Sequence, residues 1–192
     1  MKERLIALLA VALLAGACTS QPEQAGPSAP PTETPSPQAD FQTESQVYAA
    51  VIRRLVTKDH TFGGGPSPFG YVYVVDGAIP GAGNPMKNFR QVASEPFADD
   101  LKQEILDRLT DLPPVEFVLD PDDVREGKNG MGGVEDFGVI ITLGLIERKA
   151  AKVHVSNRLW CGGLCGQWLT YVLEPRGNAW RITGTTGPYA IS

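Results

Sequence analysis

The sequence predicts an α+β fold: two amphipathic helices packed on a curved, mainly antiparallel sheet that ends in a four-stranded meander. Three observations predict it. Apolar residues recur at helical spacing in two segments, around 47–56 and 97–109. Everything after Phe137 breaks into strand-like runs joined by short turns. The 192 residues, less an atypical N-terminal region, leave about 150 for one domain, enough to bury about two-thirds of its surface without cross-links.

Each element has its own signal. Val47, Tyr48, Val51, Ile52, Leu55 and Val56 share one helix face, and Thr43 with Gln46 can form a capping box at its start. Gly63-Gly64-Gly65-Pro66 breaks the chain before a strand over Tyr71–Val75. A Gly/Pro-rich loop from Gly77 to about Lys87 leads to a second helix. Ser94 is its expected N-cap, with Phe97, Leu101, Ile105 and Leu109 on the buried face. Val115–Leu119 reads as a strand, followed by a polar, glycine-rich loop through Gly133. The final runs are Phe137–Ile146, Ala151–Leu159, Trp168–Glu174 and Trp180–Thr185. Glu147-Arg148-Lys149 and Pro175-Arg176-Gly177-Asn178 suit the hairpins between them. A curved sheet around a helix looks like the nuclear-transport-factor-2-like or cystatin-like cone folds, which host enzymes and binding modules alike.

The N-terminal region divides in two. Met1-Lys2-Glu3-Arg4 precedes an uncharged apolar run from Leu5 to Ala17, whose length as a helix is about 20 Å, short of a membrane span. It therefore reads as an export signal. The run ends in Leu14-Ala15-Gly16-Ala17-Cys18, which resembles the lipobox of bacterial lipoproteins, although the family prefers Leu where Ala15 stands. The resemblance implies cleavage after Ala17, a diacylglycerol on the Cys18 thiol, and an anchor on the extracytoplasmic face of the cell membrane. Residues 19–40 then hold six prolines among Ser, Thr, Gln, Ala and Glu, with no aromatic. Such a composition cannot offset its chain entropy by burial, so residues 18–42 are expected to be a disordered stalk and 43–192 the folded domain.

The chain carries 17 basic and 22 acidic side chains, a net charge of −5. That balance argues against a nucleic-acid partner, whose binding draws on a basic face.

Trp160-Cys161-Gly162-Gly163-Leu164-Cys165-Gly166 is the most distinctive motif. With Cys18 lipidated, two of the three cysteines remain, four residues apart in an oxidising compartment. A Cys161–Cys165 disulfide flanking a hairpin tip is expected, with Gly162 and Gly163 supplying positive φ. A copper or thiol-redox site is the sharper alternative, since a CxxxC pair with a distant histidine is similar to copper-delivery proteins of cytochrome oxidase assembly. Those place the pair before a helix, whereas strands are expected on both sides here. The CGGLCG turn, Tyr171-Val172-Leu173-Glu174 and Trp180-Arg181-Ile182 together resemble a group of exported bacterial proteins of uncharacterised function, over most of residues 137–185. No activity comes with that resemblance.

Other polar residues read as structural. His60 follows a helix and suits its C-terminal dipole. His154 alternates with Val153 and Val155, so it faces away from the core or hydrogen-bonds within the sheet. Asp120-Pro121 suits a cap on a short helical turn, and the Asp120, Asp122, Asp123 run lacks the ligand spacing of a calcium loop. Asp99, Asp100, Glu104 and Asp107 form a solvated helix face with Lys102 and Arg108, including a Glu104–Arg108 pair. Neither Gly63–Gly65 nor Gly130–Gly133 carries a nucleotide-binding pattern, so no cofactor or metal is expected. Tyr71, Tyr73, Trp160, Trp168 and Trp180 can pack a core or line a pocket.

The sequence thus favours a surface-anchored, non-enzymatic binding module, its partner an envelope protein or a small apolar ligand. A cone-fold enzyme using His154 or an acidic group in an aromatic-lined cavity is the alternative. A copper or thiol-redox protein using Cys161 and Cys165 is the third reading.

Overall fold

The computed structural model describes residues 37–63, 66–87, 93, 95–127 and 132–192. The export signal, Cys18, the stalk up to residue 36 and the expected cap Ser94 lie outside the described residues. Helix α1 (Pro37–Thr57) is followed by β1 (Val72–Val75), α2 (Asp99–Asp107), β2 (Val115–Val118), β3 (Val139–Lys149), β4 (Lys152–Gly162), β5 (Cys165–Arg176) and β6 (Ala179–Ile191). The sheet order is β2-β1-β3-β4-β5-β6. Strands β3 to β6 form the expected antiparallel meander. Strand β1, however, pairs in parallel with both β2 and β3, so the sheet is mixed, with β2 and β6 as its open edges. The parallel pairing follows from connectivity, because α2 carries the chain from the end of β1 back to the start of β2.

Boundaries differ from the sequence reading in instructive ways. Helix α1 begins at Pro37, six residues before Thr43, so the folded part takes in the end of the expected stalk. Proline costs nothing in a first helical turn, where its missing N–H has no partner to lose. Asp40 faces the helix N-terminus and pairs with Arg148 at 2.6 Å, and Phe41 packs against the core. Thr43 and Gln46 consequently lie inside the helix rather than at its cap. Helix α2 starts at Asp99, with Ala98 at the N-cap position, and its first turn carries Asp99 and Asp100. Each meander strand runs past its expected end. Strand β3 continues through Lys149, moving the hairpin turn onto Ala150, which takes φ 54°.

Both helices cover one face of the sheet. Val47, Val51, Ile52, Leu55 and Val56 of α1, with Leu101 and Ile105 of α2, pack on Val72, Val74, Val139, Ile141, Leu143, Val155 and Leu173. Two phenols tie α1 and the chain just beyond it to the sheet. The Tyr48 hydroxyl donates to the Gly144 carbonyl at 3.2 Å, and the Tyr171 hydroxyl donates to Asp59 at 2.8 Å. Burial pushes both phenols well above their ordinary pKa, which keeps them as donors.

Loops cover the other face, where Ile79, Ala82, Val124 and Val134 pack on Tyr73, Val75, Val118, Ile140 and Trp160. The Ile79 amide donates to the Leu143 carbonyl at 2.7 Å, where the β3–β4 register shifts. Gly83 lies directly on the strand backbone, and a Cβ there would overlap the Leu169 carbonyl oxygen. Only glycine permits that approach.

Candidate functional site

The sequence-predicted residues disperse over the fold. Cys161 and Cys165 are joined in a disulfide, as the cysteine count implied. Their Cα atoms are 5.1 Å apart across the β4–β5 turn, where Gly162 takes φ 149°. Gly163, expected to share that role, has no positive φ. Cys165 is buried, and the Thr61 hydroxyl lies 3.2 Å from its sulfur, tying the segment after α1 to the turn.

His60, expected as a polar residue just after the helix, is buried, only 5% exposed. Helix α1 stops at Thr57, and the chain turns inward before His60 is reached. Its ring stands edge-on to Phe69, with centroids 6.0 Å apart, and is tilted against Phe62 at 6.3 Å. Neither ring nitrogen has a hydrogen-bond partner among the described residues. His154 does face away from the helix side. It sits opposite Glu147 across the β3–β4 pairing, in a polar depression with Ser156, Thr170 and Asn84.

The acidic groups behave as structural parts. Asp120 caps the 3₁₀ turn Pro121–Val124, accepting from the Asp122 amide at 2.8 Å. Glu104 and Arg108 pair at 3.4 Å. Lys102, expected on a solvated face, reaches back to the buried Asp76 at 3.0 Å. Asp76 also accepts from the Phe97 amide at 2.9 Å, so the chain entering α2 is held at the end of β1. Among the described residues, no group of three or more His, Cys, Asp or Glu is placed to hold a metal.

The aromatics divide between the two faces. Trp180 packs at the edge of the helix-side core, whereas Tyr71, Tyr73 and Trp160 serve the loop-side cluster. The Arg125 guanidinium lies 4.4 Å above the Trp160 ring and pairs with Asp122 at 3.0 Å. Arg158 is buried on the same face and donates to Thr142 at 3.0 Å. Burial first, and Arg125 second, lower its pKa to about 10, still well above neutrality.

A different set of residues builds the most distinctive surface. Phe62, Pro68, Phe69, Glu126, Val134, Phe137 and Cys161 line a cleft of about 350 Å³ beside the disulfide turn. The segment after α1, the loop before β3 and the end of β4 each supply part of it. Phe62 and Phe69 meet edge to face at 6.0 Å, with His60 packed on both. Phe137, expected to open a strand, lies before β3 and is 89% exposed. Asp136 and Phe137 both adopt left-handed backbone, at φ 55° and 51°. That geometry is uncommon for any non-glycine residue and an outlier for a bulky one. The surrounding contacts hold it: the Gly70 amide donates to the Phe137 carbonyl at 3.1 Å, and the Tyr73 hydroxyl donates to Asp136 at 3.4 Å. Burial and the neighbouring Asp136 push the Tyr73 phenol up to about 12. Leu164, 92% exposed, adds apolar surface at the hairpin tip. Sequence reasoning missed Phe62, Glu126 and Phe137. The available signal was an aromatic residue beside a glycine run, as in Thr61-Phe62-Gly63.

The cleft lies beyond the C-terminal end of α1. The start of that helix is fixed to the β3–β4 turn through Asp40 and Arg148, whereas Thr61 beyond its end touches the β4–β5 turn. A 21-residue helix spans about 30 Å. Among the described residues, no helix is long and apolar enough to cross a membrane. No family model, curated protein or solved structure matches the chain.

Proposed function

We propose that this chain is a lipoprotein tethered through Cys18 to the extracytoplasmic face of the cell membrane, and that its domain is a non-enzymatic binding module. Its recognition surface is the apolar cleft between Phe62 and Phe137. One observation carries the reading: a phenylalanine is held almost fully exposed in left-handed backbone, where it stabilises nothing by burial. Backbone strain of this kind costs on the order of 1 kcal/mol or more and is concentrated at functional sites. The cleft also lies beyond the C-terminal end of α1, a helix of about 30 Å.

The other two readings have less support. The sheet face that a cone-fold enzyme would hollow into a cavity is packed by side chains from α1 and α2. His154 lies on the opposite face in a polar setting, not an aromatic one. Copper binding needs free thiols, whereas Cys161 and Cys165 are bonded to each other, and redox exchange needs accessible sulfur, whereas Cys165 is buried.

The test uses N-phenyl-1-naphthylamine, a neutral dye that fluoresces in apolar sites. The full mature chain should enhance its emission saturably, and Phe62→Ser with Phe137→Ser should abolish the effect while leaving thermal unfolding cooperative. Equal enhancement by the double variant would remove the cleft from this role. For the anchor, Cys18→Ser should abolish palmitate incorporation and release the protein from membranes; retained label would overturn it.

A further inference from the structure

We infer that the cleft binds a methylated ammonium group, an inference that rests on the binding-module reading and gives its ligand a chemical class. The walls are phenyl rings, from Phe62, Phe69 and Phe137, and the cleft holds one carboxylate, Glu126. Glu126 makes no ion pair with another described residue, and its Oε2 lies against Gly133, which also lines the cleft. An apolar ligand alone gains nothing from a carboxylate, and an ordinary hydrated ammonium gains little from three phenyl rings. A cation clothed in methyl groups uses both. Its diffuse positive charge is attracted to the electron-rich ring faces, its methyl groups displace water from them, and the carboxylate completes the charge balance.

Glu135 and Asp136 precede Phe137 directly in the chain. Arg125, next to Glu126 in sequence, is engaged by Asp122 and Trp160 and is not among the lining residues. A volume of about 350 Å³ at the low end of the range for small-molecule sites suits one such headgroup. The left-handed backbone at Phe137 then has a purpose, since it goes with a ring left 89% exposed at the cleft.

The experiment titrates the full mature chain carrying Cys18→Ser, ring-labelled at phenylalanine, with choline and with 3,3-dimethyl-1-butanol. The two ligands share a shape and differ in charge. Choline is expected to shift the Phe62, Phe69 and Phe137 resonances saturably and to bind roughly tenfold more tightly than the neutral analogue. Glu126→Gln should weaken choline several-fold and leave the analogue unchanged; Phe137→Leu should weaken choline about tenfold. Equal affinity for the two ligands would overturn the inference while leaving an apolar binding cleft in place. No shift with either would also overturn it, and the dye experiment then decides separately whether the cleft binds apolar ligands at all. Phosphatidylcholine vesicles, titrated in parallel, separate a lipid headgroup from a free solute, and binding in either form supports the inference.

Discussion

The two faces of the sheet are covered by different means. On one face, α1 and α2 lay continuous apolar stripes across the sheet, and residues such as Val51, Ile52 and Leu55 are fully buried. On the other, a smaller cluster is closed by loops, whose isolated apolar residues Ile79, Ala82, Val124 and Val134 reach in one at a time. The helix face is a core in which every element contributes a repeating pattern. The loop face is a cover, held by single hydrogen bonds and by glycines that let backbone touch backbone. The candidate cleft opens where that cover ends, beside the disulfide turn. Its lining draws on both sides, Phe69 and Cys161 from the helix-face cluster and Val134 from the loop-side one.

The sharpest way to break this contrast is to make the same deletion on both faces. Val51→Ala should cost about 2 kcal/mol or more by urea denaturation, from two lost methyl groups and a cavity the helices cannot collapse. Val134→Ala, under a loop that can settle inward, should cost about 1 kcal/mol. Equal losses would mean that the loop face is as rigid a core as the other.

Next in size is the disulfide. Replacing Cys161 and Cys165 together by Ser should cost about 2 kcal/mol, the chain-entropy value for a five-residue loop. A loss beyond 4 kcal/mol would show that the bond holds the loop cover in place and not only its own turn.

Phe137→Gly should move the other way. Glycine adopts left-handed backbone without strain, and an 89%-exposed ring forfeits little burial, so calorimetry should show a gain of about 1 kcal/mol. The same variant should lose dye binding. A destabilised Phe137→Gly would show that the ring supports the fold, which would remove the main argument for a binding surface.

The smallest effect lies on the helix face and depends on pH. Arg53 pairs with Asp111 at 2.7 Å and also donates to the Arg108 carbonyl, clamping α1 to the end of α2. Its hydrogen bond holds the Asp111 carboxyl below the ordinary value of 3.8. The folded pKa is therefore lower than the unfolded one of about 3.9, so this stabilisation is complete above that value and disappears as pH falls through the folded value. Because both side chains are more than a third exposed, screening limits it to less than about 1 kcal/mol. Asp111→Asn should show a flatter acid limb than the natural chain below pH 4; identical limbs would place the acid sensitivity elsewhere.

Legibility in the sequence followed the same division. The helix-face residues Val47, Ile52, Leu55, Leu101 and Ile105 were readable because burial on one side imposes a period of 3.6. The meander was readable from strand-like runs separated by short turn segments. Helix α1 began earlier than its apolar stripe because Pro37 to Asp40 satisfy helix-start chemistry without contributing to that stripe. The parallel pairing of β1 was not readable, since its four residues, all buried, carry no sign of strand direction. Lys102 and Asp76 were missed as a pair because they are 26 residues apart and joined only by the packing of α2 on β1.

By itself, the sequence determined the α+β class, the antiparallel meander and the Cys161–Cys165 pairing. Each of these is local: a periodicity, a short turn, or two thiols four residues apart. Only the tertiary structure decided that His60 is buried, that β1 joins the sheet in parallel, and that Phe62, Glu126 and Phe137 share one cleft. Those residues lie on separate loops, and a loop's position is set by the elements it connects, through contacts that leave no period in the chain.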